Sequence, residues 1–144
     1  MGLILPSIIE AQLLAHAAAA FPYECCGLLL GSGAGDTNKD PNHVEKARYD
    51  AADIIQVQPA RNIAADRATR FEIDPQVLID AHRNSRAGGL QVLGYYHSHP
   101  AGPPRPSRID QELAARDGRI WAIVGEGRVE LWRDCPAGFV PLRE

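Results

Sequence analysis

The first patterned stretch of the chain, residues 7–20 (SIIEAQLLAHAAAA), is rich in Ala and Leu and predicts a helix. Ser7 and Glu10 have capping-box spacing, and Pro22 closes the run by restricting the residue before it. Residues 25–31 (CCGLLLG) are apolar without polar alternation, the pattern of a strand covered on both faces. The Gly-, Asp- and Asn-rich segment 31–43 predicts a loop, 44–49 and 54–57 predict strands, and the polar segment 59–70 a second connection. Asp74-Pro75 joins an N-cap residue to proline at the first helical position, predicting a helix over 74–86 that Gly88-Gly89 ends.

Residues 90–99 (LQVLGYYHSH) read as a strand, and the four prolines of 100–106 make a stiff, irregular connection. Ser107-Arg108-Ile109-Asp110 opens a third helix, expected to reach Asp117 and stop at Gly118. Strands are expected at 119–125, 128–133 and 138–142, the first two joined by the turn Glu126-Gly127. The predicted fold is an α/β (α+β) single domain over 1–144, a mixed, largely antiparallel sheet flanked by three helices.

Composition narrows the class. At 144 residues, 45% hydrophobic and 23% charged, the chain is neither disordered nor fibrous. Its size supports a core without disulfides or structural metals. A net charge of −3 provides no basic field for nucleic acid or an anionic membrane, so neither is expected as a partner. Cys25, Cys26 and Cys135 contain no C-x-x-C pair, which excludes a four-thiolate zinc site; buried, reduced thiols are expected. The first residues lack the basic region of a signal peptide, and the uncharged stretch 11–23 is too short to cross a bilayer. A cytoplasmic location is the expectation.

The chemistry concentrates in His97-Ser98-His99 with Ser107 and Asp110 downstream. Residues two apart on a strand share a face, so His97 and His99 present their imidazoles together and Ser98 faces away. Asp110 falls in the first turn of the next helix, whose side chains lean toward its N-terminus and whose dipole favours a carboxylate. Two imidazoles and a carboxylate make three ligands for a divalent ion with an open fourth position, which suits one catalytic zinc per chain. Each residue alone has a plainer role: surface or packing histidine, N-cap serine, dipole-complementing acid. At this chain's composition, H-x-H-x7-S-x-x-D arises by chance about four times in ten thousand chains, so the conjunction outweighs those roles. His16, His43 and His82 are expected to be packing or surface groups, and Trp121 and Trp132 to be core.

The run Y-Y-H-S-H-P-A-G-P-P-R-P-S-R-I-D closely resembles the JAMM (MPN+) motif of the Mov34/MPN/PAD-1 metallopeptidase family. F-P-Y-E-C-C-G-L-L-L-G is similar to that family's upstream glutamate segment, and the helix entered through R-F-E-I-D-P resembles its compact bacterial members. The resemblance implies an MPN/cytidine-deaminase-like architecture with zinc held by His97, His99 and Asp110. It also implies Glu24 as general base and acid, and Ser107 as hydrogen-bond donor to the oxyanion. From the residues alone, Glu24, Glu45 and Glu72 are equal candidates for the acid; only the resemblance selects Glu24. Asn62 lies in a loop similar to one bordering the family's cleft and is a candidate for contacting substrate backbone.

The implied activity is zinc-dependent (iso)peptidase cleavage after the C-terminal Gly-Gly of a ubiquitin-like or sulfur-carrier protein. The alternatives are a non-catalytic MPN scaffold that only binds partners, and a DNA-repair-associated JAMM relative. The first usually lacks ligands that this chain retains, and no basic or helix-hairpin-helix-like segment supports the second. A base deaminase would need H-x-E and P-C-x-x-C, which are absent.

Overall fold

The computed structural model describes residues 5–32 and 53–142. Helix α1 spans Ser7–Ala20 and buries Ile9 and Leu13. The expected capping box does not form. Pro6 occupies the N-cap position, which places Ser7 one residue too far into the helix, and the Pro6 carbonyl accepts directly from Glu10 N at 3.0 Å.

Six strands form one sheet in the order β2-β1-β3-β4-β5-β6. They are β1 (Cys26–Ser32), β2 (Asp53–Ala60), β3 (Gln91–Ser98), β4 (Ile120–Gly125), β5 (Arg128–Cys135) and β6 (Gly138–Pro141). Only β3 and β4 run parallel, and every other neighbouring pair is antiparallel. Among the described residues three helices accompany the sheet: α1, α2 (Pro75–Arg86) and α3 (Arg108–Leu113). The predicted mixed, largely antiparallel α+β architecture is therefore the observed one.

β1 lies inside the sheet and is covered on both faces, which is why its sequence lacks alternation. Cys25 and Leu29 join Leu13, Leu93 and Tyr96 in the cluster under α1. Cys26 and Leu28 join Ile73, with Phe71 and Leu78 packed against them, in the cluster under α2. Adjacent cysteines are thus both buried because they point to opposite faces. β2 continues through Pro59 and Ala60, residues expected in a connection. An edge strand accommodates a residue without an N–H, and Pro59 pairs there with Gly27. The strand expected at 44–49 and nearly all of the expected loop 31–43 lie outside the described residues; Gly31 and Ser32 belong to β1.

α2 starts as predicted: Asp74 accepts from Gln76 N at 3.0 Å, and Pro75 is the first helical residue. α3 is shorter than predicted, ending at Leu113 rather than Asp117. Asp134, fully buried, accepts from Arg116 N at 2.9 Å and from its guanidinium at 3.2 Å. Those bonds hold Arg116 at φ 57°, a conformation incompatible with helix. The turn between β4 and β5 has positive φ at both Glu126 (53°) and Gly127 (75°), the tight hairpin form expected from its sequence.

Candidate metal centre

His97 and His99 leave the end of β3 on the face shared with Tyr95 and Phe71, while Ser98 turns to the other face. There its Oγ accepts from Cys25 N at 2.8 Å. The proline-rich segment that follows is clamped at several points. His99 N donates to Val124 O at 2.7 Å, His99 Nδ1 to Pro103 O at 2.8 Å, and Trp132 Nε1 to Pro104 O at 3.0 Å. Gly125 lies beneath this segment; a Cβ there would stand 2.6 Å from Gly102 O, so only glycine permits the approach. The clamped loop delivers Ser107 as N-cap of α3 and Asp110 into its first turn.

His97 Nε2, His99 Nε2 and Asp110 Oδ2 form a triangle with sides of 3.1, 3.0 and 3.0 Å. Ligands of a tetrahedral zinc with bonds of about 2.0–2.1 Å stand about 3.3–3.4 Å apart, so this triangle has nearly the size of one tetrahedral face. The donor set also fits. Pro103 O takes the Nδ1 proton of His99, which leaves a lone pair on Nε2. Lone pairs from three groups converge on one point, and they repel unless a cation or proton lies among them. Burial opposes ionisation of Asp110, yet the two imidazoles beside it and the hydrogen bond from Ser107 N hold its carboxyl far below the usual range. Burial likewise opposes a charge on His99, but Asp110 and the Pro103 carbonyl outweigh it and raise its pKa. His97, fully enclosed, is held low by burial. These three residues can hold a metal ion.

Glu24 is 5% exposed, and its Oε1 has no hydrogen-bond partner among the described residues. Burial pushes its carboxyl up to about 8, with His99 opposing the rise and Asp110 and Asp66 adding to it. It lines a cleft of about 530 Å³ together with Thr69, His99, Pro103 and Ser107. The structure thus brings all five expected site residues to one place. Glu72 is exposed, and Glu45 lies outside the described residues. Ser107 Oγ accepts from Asp110 N at 3.0 Å, which leaves its O–H to donate.

Asn62 has no hydrogen-bonding capacity left for substrate, contrary to expectation. Its amide donates to Glu24 O at 3.0 Å and Arg70 O at 2.9 Å, and accepts from Ala64 N at 3.1 Å and Glu72 N at 3.0 Å. With Glu24 N donating to Arg67 O at 2.7 Å, both backbone groups of Glu24 are tied to this one loop. The Arg67 guanidinium also covers the Tyr23 ring at 4.5 Å. Asn62 therefore supports the acid's backbone. Only its place in a polar connection was visible in the sequence.

The remaining expectations divide. His16 Nδ1 lies 2.7 Å from the Tyr96 hydroxyl, a packing role as expected. Trp121 is core, but Trp132 is half-buried and serves as the clamp on Pro104. Cys25 and Cys26 are free and buried, and burial pushes the Cys26 thiol up to about 12, which disfavours a thiolate nucleophile. Cys135 is only half-buried.

The sheet and the histidine–aspartate cluster together match the JAMM type of protein expected from the sequence. A family model described as prokaryotic homologs of the JAB domain matches residues 6–135, and the chain belongs to that family. It is 31% identical over 109 residues to a desampylase of Haloferax volcanii, covering 75% of this chain and 67% of that one. A desampylase of Pyrococcus furiosus is 34% identical over 110 residues, covering 76% of this chain and 65% of the relative. The chain therefore aligns with about two thirds of each relative's length. A solution structure of a protein from Desulfitobacterium hafniense, 29% identical, matches with a TM-score of 0.69 over 91% of this chain and 83% of that one.

Proposed function

We propose that this protein is a zinc-dependent isopeptidase hydrolysing the bond after the C-terminal Gly-Gly of a ubiquitin-like or sulfur-carrier protein. The observation that carries the reading is the triangle of His97, His99 and Asp110 beside a cleft that also holds Glu24 and Ser107. The two desampylase relatives support ubiquitin-like protein conjugates as the substrate class.

His97, His99 and Asp110 would hold zinc, whose charge makes water acidic enough to act as a nucleophile near neutral pH. Glu24 takes a proton at its unpartnered Oε1 and returns it to the leaving amine. Ser107 donates its O–H to the carbonyl oxygen as negative charge develops there. The stiff proline segment and Thr69 both line the cleft. Glycines at the end of a substrate tail suit it, since side chains would prevent close approach. A pure scaffold would have no use for a buried, unpartnered carboxyl, which is costly to keep. No helix among the described residues is long and apolar enough to cross a membrane. Cys25 and Cys26, buried and unbridged, agree with a reducing, cytoplasmic setting.

The test is a ubiquitin-like protein joined through its terminal Gly-Gly to a lysine of a reporter protein. The zinc-loaded enzyme is expected to release both proteins intact, as read by mass spectrometry. Chelation should stop the reaction and added zinc restore it. A protein that binds one zinc per chain yet cleaves neither this conjugate nor its linear counterpart is a binding module instead.

A further inference from the structure

The two histidines of the cluster are held by different means. The His99 ring is oriented along its edge, by the bond from Nδ1 to Pro103 O at 2.8 Å. Histidines that ligate metals almost always have such a bond on the second nitrogen, since it sets both the tautomer and the ring plane. His97 has none: its Nδ1 is buried and has no partner among the described residues. Its ring is instead held by its faces and rim. Phe71 stacks on it with centroids 4.2 Å apart and planes 18° from parallel, and Trp121 meets it edge-on at 5.6 Å and 89°.

Phe71 is itself fixed. Trp121 packs against it at 5.7 Å and 77°. The Asn62 side chain bonds the backbone on both sides of it, at Arg70 O and Glu72 N. The bridge between Asn62 and Ile73 closes the same turn. An imidazole with no orienting hydrogen bond at Nδ1 thus lies flat on a phenyl ring anchored through the backbone on either side of it.

We propose that Phe71 is a positioning residue for His97, its ring face taking the place of the hydrogen bond that orients His99. The inference rests on the reading that His97, His99 and Asp110 hold zinc. Without the stacked face, rotation about the last side-chain bond turns His97 Nε2 away from the point it shares with His99 and Asp110. Loss of Phe71 therefore weakens metal binding without removing a ligand.

The experiment measures zinc affinity by chelator competition, and the visible spectrum of the cobalt form, on the full chain and three variants. Phe71→Leu keeps apolar bulk but no flat face. It is expected to weaken zinc about 10–100-fold, as loss of a ligand's orienting partner does, and to change the cobalt spectrum. Phe71→Tyr keeps the face and should stay within about twofold of the parent, since the stack is retained. Leu78→Ala thins the same apolar cluster without touching His97 and should leave affinity and spectrum unchanged. If Phe71→Leu does not fold, Phe71→Met carries the same expectation. Parent-like affinity and spectrum in the leucine or methionine variant overturn the inference alone. So does equal weakening by Leu78→Ala, which would make the effect one of general stability. A parent chain that binds no zinc overturns the metal reading itself, a different and separable result.

Discussion

Ser107 and Asp110 grip each other across the first turn of α3. Ser107 Oγ accepts from Asp110 N at 3.0 Å, and Asp110 Oδ2 accepts from Ser107 N at 2.9 Å. That same Oδ2 stands 3.0 Å from both imidazole nitrogens. One oxygen therefore serves the helix cap and the histidine cluster together, so the cap that starts the helix also aims the carboxylate.

The serine's two roles are separable. Ser107→Ala loses the N-cap and should cost about 1 kcal/mol of stability in urea titration. Ser107→Gly retains most of the capping preference, so its stability should lie within a few tenths of a kcal/mol of the parent. Both should lose about 10²–10³ in kcat as the hydroxyl donor disappears. A glycine variant with parent-like kcat would reduce Ser107 to a cap.

Glu24→Gln should abolish hydrolysis while one zinc per chain remains bound. It should also stabilise the metal-free protein at alkaline pH. A carboxyl whose pKa is about 8 in the fold and near 4.5 when unfolded favours folding most below pH 4.5. That contribution falls as pH rises and is lost above about 8, because in this window the folded state binds the extra proton. The stability gained by the glutamine variant should therefore grow from pH 4 to pH 9, reaching on the order of 2–4 kcal/mol. A pH-independent difference between the two melting curves would contradict the burial argument.

Protons and metal compete for the same imidazole nitrogens. His99, whose pKa is raised, is the first to take up a proton as pH falls. Zinc affinity should hold above the histidine range and then drop by about tenfold per pH unit for each proton displaced. Buffered chelator titrations from pH 9 to pH 5 read this directly, and a flat profile would argue against histidine ligation.

Asn62→Ala leaves two carbonyls and two N–H groups of the backbone without their partner. The expected loss is on the order of 2–4 kcal/mol in denaturant titration. Because Glu24 O is one of those groups, kcat should fall more than KM rises. A loss confined to KM would return Asn62 to the substrate-contacting role its loop suggested.

Much of this protein was legible in its sequence because the relevant rules are local. Alternation along β3 placed His97 and His99 on one face. The Asp74-Pro75 pair started α2, and Glu126-Gly127 closed a hairpin. The Ser107–Asp110 spacing set the cap that aims the carboxylate. Local rules also misread the cap at Ser7, where a neighbouring proline intervened, and the end of α3 beyond Leu113, where a distant aspartate did.

What periodicity could not encode was which groups meet from afar. Nothing local distinguishes Glu24 from Glu72; its burial beside His99 comes from sheet pairing that sets Cys26 opposite His97. Asp134 ends α3 by holding Arg116 from a strand eighteen residues beyond that arginine, and Asn62 and Phe71 acquire their partners only when the loop folds back over β1 and β3. Short-range geometry thus accounts for the pairing of His97 with His99 and for the aim of Asp110. Tertiary packing chose the acid, its support and the surface on which one histidine rests, because those contacts join segments that no turn or strand repeat relates.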